Sequence, residues 1–410
     1  MKTIKSLLCL LVIILSGTSS KAQWQQLSFP SNMSLDRASF PTGQVGFVAN
    51  SLSPKLWRTQ DGGATWDSTT FSNNVHDVDF INADTGFVLY GSSSVYKLST
   101  TYNGGDTWSD QTMPSPGFSY YQMVYFTNAN TGYVNTYDAT ILQTTDGGAN
   151  WNTLPLGSYG YMSDKDHINE DTLILTGADG TFMYRGALYR SDDGGNNWTT
   201  HLNDSSYTTY TGSHFINGSL GFAVYDYGWN PGISTLIKTG DGGLTWSDFY
   251  SDTTLVFQDV YMNSVNGGYI AGENPSGSGI GGKILKTNNG ITWQTDYTTP
   301  YPVRKFYSGG NVLYGIGDGG VVVKNSNPTG INELNKEEIQ IYPNPTTGIL
   351  NFSLKENTTL NFYNVAGTLV ISVFAQPGES MNITELANGI YFAEFASETV
   401  KMRTKIILAK

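Results

Sequence analysis

Apolar and polar residues alternate along this chain in short runs, each closed by a cluster of Gly, Asn, Asp or Ser. In His76-Asp77-Val78-Asp79-Phe80 and Ser94-Val95-Tyr96-Lys97-Leu98 the apolar positions recur at every second residue. That is the period of a β-strand with one buried face, so the pattern predicts strands rather than helices.

The runs are organised in a repeat. A turn closing on tryptophan reads Thr59-Gln60-Asp61-Gly62-Gly63-Ala64-Thr65-Trp66, and recurs around Asn103 and Trp108, Asp146 and Trp151, Asp193 and Trp198, and Asp241 and Trp246. A shortened copy places Asn288 or Asn289 ahead of Trp293. The tryptophans are 42, 43, 47, 48 and 47 residues apart, and Trp24 stands another 42 before Trp66. A period of this size marks a propeller or an array. Between tryptophans an aromatic, a polar turn and a glycine-aromatic strand recur at 40–47, 80–87, 126–133, 215–222 and 261–269, with weaker versions at 171–175 and 306–314.

Each unit therefore predicts four short strands. The last has a third strand at Val321, Val322 and Val323 but no turn signature after it, whereas Trp24-Gln25-Gln26-Leu27 matches the stretch that follows every turn. The N-terminal segment is expected to supply the missing outer strand and close the ring without an open edge. The fold class predicted is all-β: a seven-bladed β-propeller over residues 23–327, followed by a small C-terminal β-sandwich. Within each turn the Asp or Asn accepts backbone N–H groups while the glycines supply positive φ. Asn at Asp positions keeps the acceptor and drops the charge, which favours a structural role over metal binding.

The turn resembles the Asp-box, Ser/Thr-x-Asp-x-Gly-x-Thr-Trp, of the propellers in sialidases, sortilin-type receptors, xyloglucanases and Ycf48-like photosystem assembly factors. The resemblance implies a BNR-type scaffold and, because those relatives share little chemistry, no particular activity.

Composition sets the compartment. Residues 1–22 carry Lys2 and Lys5, an apolar run over 7–15, and Ala22 before Gln23. This predicts a secretory signal peptide cleaved after Ala22. Cys9 lies inside it, so the exported chain has no disulfide. Losing Lys2, Lys5 and Lys21 takes the formal charge from −12 to −15, which argues against nucleic acid as a partner. No later apolar run is long enough to be a transmembrane helix.

Acid usage changes along the chain: residues 23–330 hold 24 Asp and two Glu, residues 331–410 eight Glu and no Asp. Residues 328–338 read as a linker, and 339–410 as a separate sandwich of short alternating strands. This tail resembles the type A sorting domain of the Bacteroidetes type IX secretion system. The matching stretches are Tyr342-Pro343-Asn344-Pro345-Thr346-Thr347-Gly348, then Leu386-Ala387-Asn388-Gly389-Ile390-Tyr391, then Lys405 to the closing Lys410. The resemblance implies the secretion machinery as a partner, outer-membrane translocation, and tail removal with anchoring at the surface or release.

Catalytic chemistry is weakly signalled. A sialidase-like site would need an arginine triad, and Arg58 and Arg190 occupy a repeated position ahead of the turns, leaving Arg37, Arg185 and Arg304. A glycosidase needs two flanking carboxyl groups; Asp36, Asp77 and Asp259 sit near the starts of first strands and so near the channel. His76, His167, His201 and His214 show no metal-ligand spacing. No catalytic residue, metal or cofactor is assigned. The connections between second and third strands vary most and are aromatic, so that face is expected to bind. Tyr225, Tyr227 and Trp229, with Tyr120 and Tyr121, are the candidate ligand-binding residues. The function expected is a monomeric, non-enzymatic extracellular or cell-surface module binding glycan or protein, with a glycoside hydrolase or a Ycf48-like assembly factor as alternatives.

Overall fold

The computed structural model describes residues 24–410 apart from 93–94, 116, 118, 138–139, 156–159, 169–170, 180–184, 203–207, 228–233, 276–280, 327, 329–340, 353–357, 365–367, 377–379 and 397–400. The expected leader and nearly all of the expected linker lie outside the described residues. The chain forms two compact units, Met1–Gly330 and Ile331–Lys410.

The first unit contains seven four-stranded antiparallel sheets. Blades 1 to 6 begin with Arg37–Ser39, Val75–Phe80, Tyr121–Phe126, Gly160–His167, Thr208–Phe215 and Val256–Met262, and blade 7 with Val303–Gly309. Strand character follows position. The second strand of blade 2, Gly86–Ser92, carries buried Phe87, Val88, Leu89 and Tyr90, the continuous apolar run of a strand covered on both faces. Its fourth strand, Ser109–Thr112, is polar and mostly exposed. In blade 7 the fourth strand is Trp24–Gln26, with Trp24 opposite Asn325.

Apolar clusters fill the space between consecutive blades, and one joining Leu35, Ala38 and Phe40 to Tyr314, Ile316 and Val322 links the last blade to the first. Each turn tryptophan packs into the interface with the preceding blade. Trp108 lies edge-on to Phe71 and Phe80, with ring centroids 5.5 and 6.1 Å away. Trp24 takes the equivalent place in blade 7, 2% exposed and edge-on to Tyr269 at 5.3 Å. Close approach dictates the second turn glycine: a Cβ on Gly63, at φ +87°, would stand 2.3 Å from Leu27.

The second unit is a two-sheet sandwich. Ile341–Tyr342, Ile349–Phe352 and Ser380–Asn382 form one sheet; Leu369–Ala375, Thr358–Asn364, Gly389–Ala396 and Lys401–Leu408 form the other in that order. Leu350, Phe352, Leu360, Phe362, Ile406 and Leu408 are among the side chains between them.

Because Trp24 fills an interface and anchors the closing strand, Trp24→Ala is expected to cost about 3–5 kcal/mol, the range for truncating a buried tryptophan. Urea unfolding of the full chain, read by tryptophan fluorescence, measures it; a loss below about 1 kcal/mol would contradict the closure.

Candidate functional site

The six turns share one hydrogen-bond set. Asp61 Oδ1 accepts the Thr59 hydroxyl at 2.9 Å and the Thr65 N–H at 2.9 Å, its Oδ2 accepts the Thr65 hydroxyl at 2.6 Å, and Thr59 Oγ1 accepts the Gly63 N–H. Asp241 repeats this with Thr239 and Thr245, and Asp146 and Asp193 do so with Asn150 and Asn197. Asn103 keeps the acceptor bonds and donates its amide to Thr107 Oγ1. In the shortened turn the acceptor is Asn289. Hydroxyl and N–H donors around Asp61 and Asp241 hold both carboxyls down at about 2.

In blades 1, 3 and 4 the residue before the turn reaches the next blade. Arg58 donates to the Gly104 carbonyl and pairs with Asp106, Gln143 donates to the Gly194 carbonyl, and Arg190 to the Gly242 carbonyl. Lys324 of blade 7 donates to the Gly62 carbonyl of blade 1, so this outer belt crosses the closure. Sequence reading took Arg58 and Arg190 as third-strand residues without seeing this contact.

A second belt lines the channel. The first strands enclose a cavity of about 360 Å³ bordered by Asp36, Asp77, Asp79, Asp164, Asp166 and Asp259, with Arg37, Lys165 and Lys305. Asp36, Asp77 and Asp259 thus come together where their strand positions placed them. Each is already engaged. Asp77 accepts the Val124 N–H at 3.0 Å and the Lys165 ammonium at 2.6 Å. Asp164 accepts the Ser213 N–H at 3.0 Å and the Lys305 ammonium at 2.8 Å. Asp259 accepts the Phe306 N–H at 2.6 Å, and Asp36 the N–H and hydroxyl of Ser51. Asp79 and Asp166 accept the N–H groups of Phe126 and Phe215, and Ser39 that of Phe80. Asp36 bonds within its own blade, whereas Asp77, Asp79, Asp164, Asp166, Asp259 and Ser39 each meet an N–H of the next blade's first strand. His214 does so through Nδ1, 3.4 Å from the Met262 nitrogen; burial pulls it down to about 4, which keeps the imidazole neutral.

Burial pushes the Asp79 carboxyl up to about 6, against the pull of Lys165, and the Asp259 carboxyl up to about 8, against that of Lys305. Asp259 Oδ1 has no hydrogen-bond partner and lies against Gly212, where a Cβ would stand 2.0 Å away. Of the three arginines left for a triad only Arg37 borders the cavity; Arg304 pairs with Glu273 and Asp318. Among the described residues no group of His, Cys, Asp or Glu is placed to hold a metal ion.

The aromatic candidates separate. Tyr121 and Tyr225 are corrected to core residues: Tyr121 is fully buried, edge-on to Tyr96, and Tyr225 packs with Tyr210 and Ile237. Both sit within strands that are buried on both faces, so either orientation would have covered the ring. Tyr227 ends the strand Gly221–Tyr227, its side chain outside the described residues, as is Trp229. Tyr120 is exposed and stacks on Tyr137, ring centroids 4.9 Å apart and planes at 22°. Sequence reasoning missed Tyr137, whose place in the blade 3 connection between second and third strands was the available signal. Leu52 and Val95 stand exposed at the corresponding connections of blades 1 and 2, and Met33 at the entry to blade 1.

In the second unit the three tail stretches converge. Thr346 N–H donates to the Ile407 carbonyl, Ala409 N–H to the Thr346 carbonyl, and Ile407 N–H to Asn344 Oδ1. Lys410 donates its N–H to Asn388 Oδ1 and its ammonium to the Leu386 and Thr384 carbonyls, while the Tyr391 hydroxyl bonds the Ala387 carbonyl.

Residues 340–409 match the family described as the secretion system C-terminal sorting domain, and residues 68–221 the one described as photosynthesis system II assembly factor YCF48. The chain joins a Ycf48-like β-propeller to a type IX sorting domain, and that domain marks it for secretion, to the cell surface or beyond. Over 176 residues, 43% of this chain, it is 30% identical to the photosystem II assembly lipoprotein Ycf48 of Synechococcus sp. (strain CC9902). That stretch covers 46% of the relative, so the chain spans about half the length of the curated protein it matches. A solved structure described as YCF48 bound to D1 peptide aligns with a TM-score of 0.58 and 18% identity, over 74% of this chain and 96% of its own. The GH74 xyloglucanase from Xanthomonas campestris aligns with a TM-score of 0.53 and 13% identity, over 86% of this chain and 59% of its own. At such identities the likeness is one of fold.

The carboxyl shifts have opposite consequences. Asp79 and Asp259, raised above the unfolded value near 4, bind protons more tightly in the folded chain, so stability declines as pH rises from about 4 through 6 and 8. Asp61 and Asp241, held down at about 2, contribute stability that is lost as pH falls from about 4 through 2. Urea midpoints taken across pH 3 to 9 are expected to decline on the alkaline side, and Asp259→Asn, which keeps the acceptor for Phe306, to flatten that decline. An unchanged slope in the variant would contradict the assignment.

Proposed function

We propose that this is an exported, non-enzymatic binding propeller that holds a polypeptide segment on the loop face of blades 1 to 3. The observation that carries the reading is the stacked Tyr120–Tyr137 pair, exposed on the loop face that also exposes Leu52 and Val95. Leu52, Val95 and Tyr137 occupy corresponding connections in three consecutive blades, so the ring spaces them at regular intervals around one arc. A sugar site would surround its stacking ring with hydrogen-bonding groups, whereas aliphatic neighbours suit apolar side chains of a peptide. The opposite face exposes Tyr102, Leu244 and Ile291, on blades 2, 5 and 6. The relative solved with a bound peptide supports a polypeptide ligand by analogy of scaffold.

The channel fits a structural role. A glycosidase acid or nucleophile must be free to exchange a proton or attack carbon, while Asp36 and Asp77 are engaged with N–H groups or an ammonium and Asp259 is held by the Phe306 N–H through one oxygen. In this account residues 1–22 direct the chain to the periplasm, the tail carries it across the outer membrane, and tail removal leaves the propeller at the surface or free.

The full chain screened on a peptide array and a glycan array tests the proposal. Retention of peptides rich in apolar residues is expected, with affinity lowered at least tenfold in Tyr120→Ala/Tyr137→Ala at unchanged melting temperature. Retention of glycans alone would overturn the polypeptide reading, and their hydrolysis would return the function to the channel acids.

A further inference from the structure

The strand Leu369–Ala375 stands at one edge of the tail's four-stranded sheet. It pairs on one side with Thr358–Asn364 and, among the described residues, with no strand on the other. Its sequence, Leu-Val-Ile-Ser-Val-Phe-Ala, contains no charge, no proline and no glycine. After a register shift at Val370, residues 371–375 run in unbroken register with their partner. Leu369 is 50% exposed and Phe374 63%, with Val370 and Val373 at 37%. Proteins normally blunt such an edge with lysine, proline or a covering segment, because unpaired N–H and C=O groups on an apolar strand invite another strand.

The same sheet shows that protection at its other edge. Lys401–Leu408 carries Lys401, Arg403 and Lys405, and its end is covered by Thr346, which bridges Leu408. The first sorting stretch therefore serves as an edge cover, and the last folds back on the second through Lys410. All three stretches spend polar groups on one another, at the sheet's charged edge. At the opposite edge no described strand pairs with Leu369–Ala375.

We propose that Leu369–Ala375 is the docking strand of the sorting domain, and that the secretion machinery takes it up by strand addition, laying an extended apolar segment of its own along this edge. Main-chain hydrogen bonds would supply the affinity, and the outward Ser372 and Phe374 the side-chain contacts. Pairing with a second copy is disfavoured because it would bring together two exported chains of formal charge −15, which repel. This proposal rests on the sorting tail and is independent of what the propeller binds.

The test is export of the full chain from a bacterium with a type IX system, comparing wild type, Ser372→Lys/Phe374→Lys and Phe374→Tyr by immunoblot of surface, medium and periplasm. The double variant is expected to fall at least tenfold at the surface and in the medium, and to accumulate in the periplasm as protease-resistant, folded protein. Phe374→Tyr is expected to export normally. If the purified double variant melts below wild type, Ser372→Lys alone carries the same expectation. Wild-type export of a charged variant would overturn the proposal, including the case in which sedimentation shows that the charge merely dissolves a dimer.

Discussion

The sheets of this propeller meet face to face, with no backbone ladder running from one to the next. Every first strand is consequently an edge, and its channel-facing N–H groups need acceptors that its own sheet does not supply. For the first strands of blades 2, 3, 5, 6 and 7 the chain meets this requirement with side chains. Asp77, Asp79, Asp164, Asp166, Asp259, Ser39 and His214 each accept an N–H from the following blade. An outer belt of Arg58, Gln143, Arg190 and Lys324 does the complementary work, donating to turn carbonyls. Packing of tryptophans between the belts then fixes the spacing of the blades.

This constraint decides where function can reside. A channel ringed by carboxylates has the outward look of an acid–base centre. Here Lys165 and Lys305 reach across blades to neutralise Asp77 and Asp164, and Asp79, Asp166 and Asp259 each hold a backbone N–H of the next blade through one oxygen. Two of the acids, Asp79 and Asp259, are raised chiefly by burial, the expected consequence of placing acceptors deep in the ring. With the channel committed to holding the ring, the loop face is left as the surface free to vary, and the exposed tyrosine pair lies there.

The parts legible in the sequence are those that repeat. The turn signature and its tryptophans disclosed the propeller, Trp24 disclosed the closing strand, and the shift from Asp to Glu separated the tail. Positions near strand starts also located Asp36, Asp77 and Asp259 at the channel. Their work was not legible, because the partners are distant: Phe306 is 47 residues from Asp259, and Lys305 is 141 from Asp164. A trace existed in Lys165, a polar residue at a first-strand position that other blades fill with Val78, Val124 or Val260. Tyr121 and Tyr225 were misplaced because an aromatic count does not say whether a ring lies in a loop or in a strand covered on both faces.

The central claim is that the channel acids hold the ring together rather than perform chemistry. Equilibrium unfolding of Asp164→Ala tests it most directly, since this change removes the acceptor for the Ser213 N–H and the carboxylate of the ion pair with Lys305. The expected loss is about 2–5 kcal/mol, the combined scale of an orphaned N–H and a broken, partly buried ion pair. Stability equal to that of wild type would show that the belt is incidental, and would free the channel carboxylates for a catalytic role.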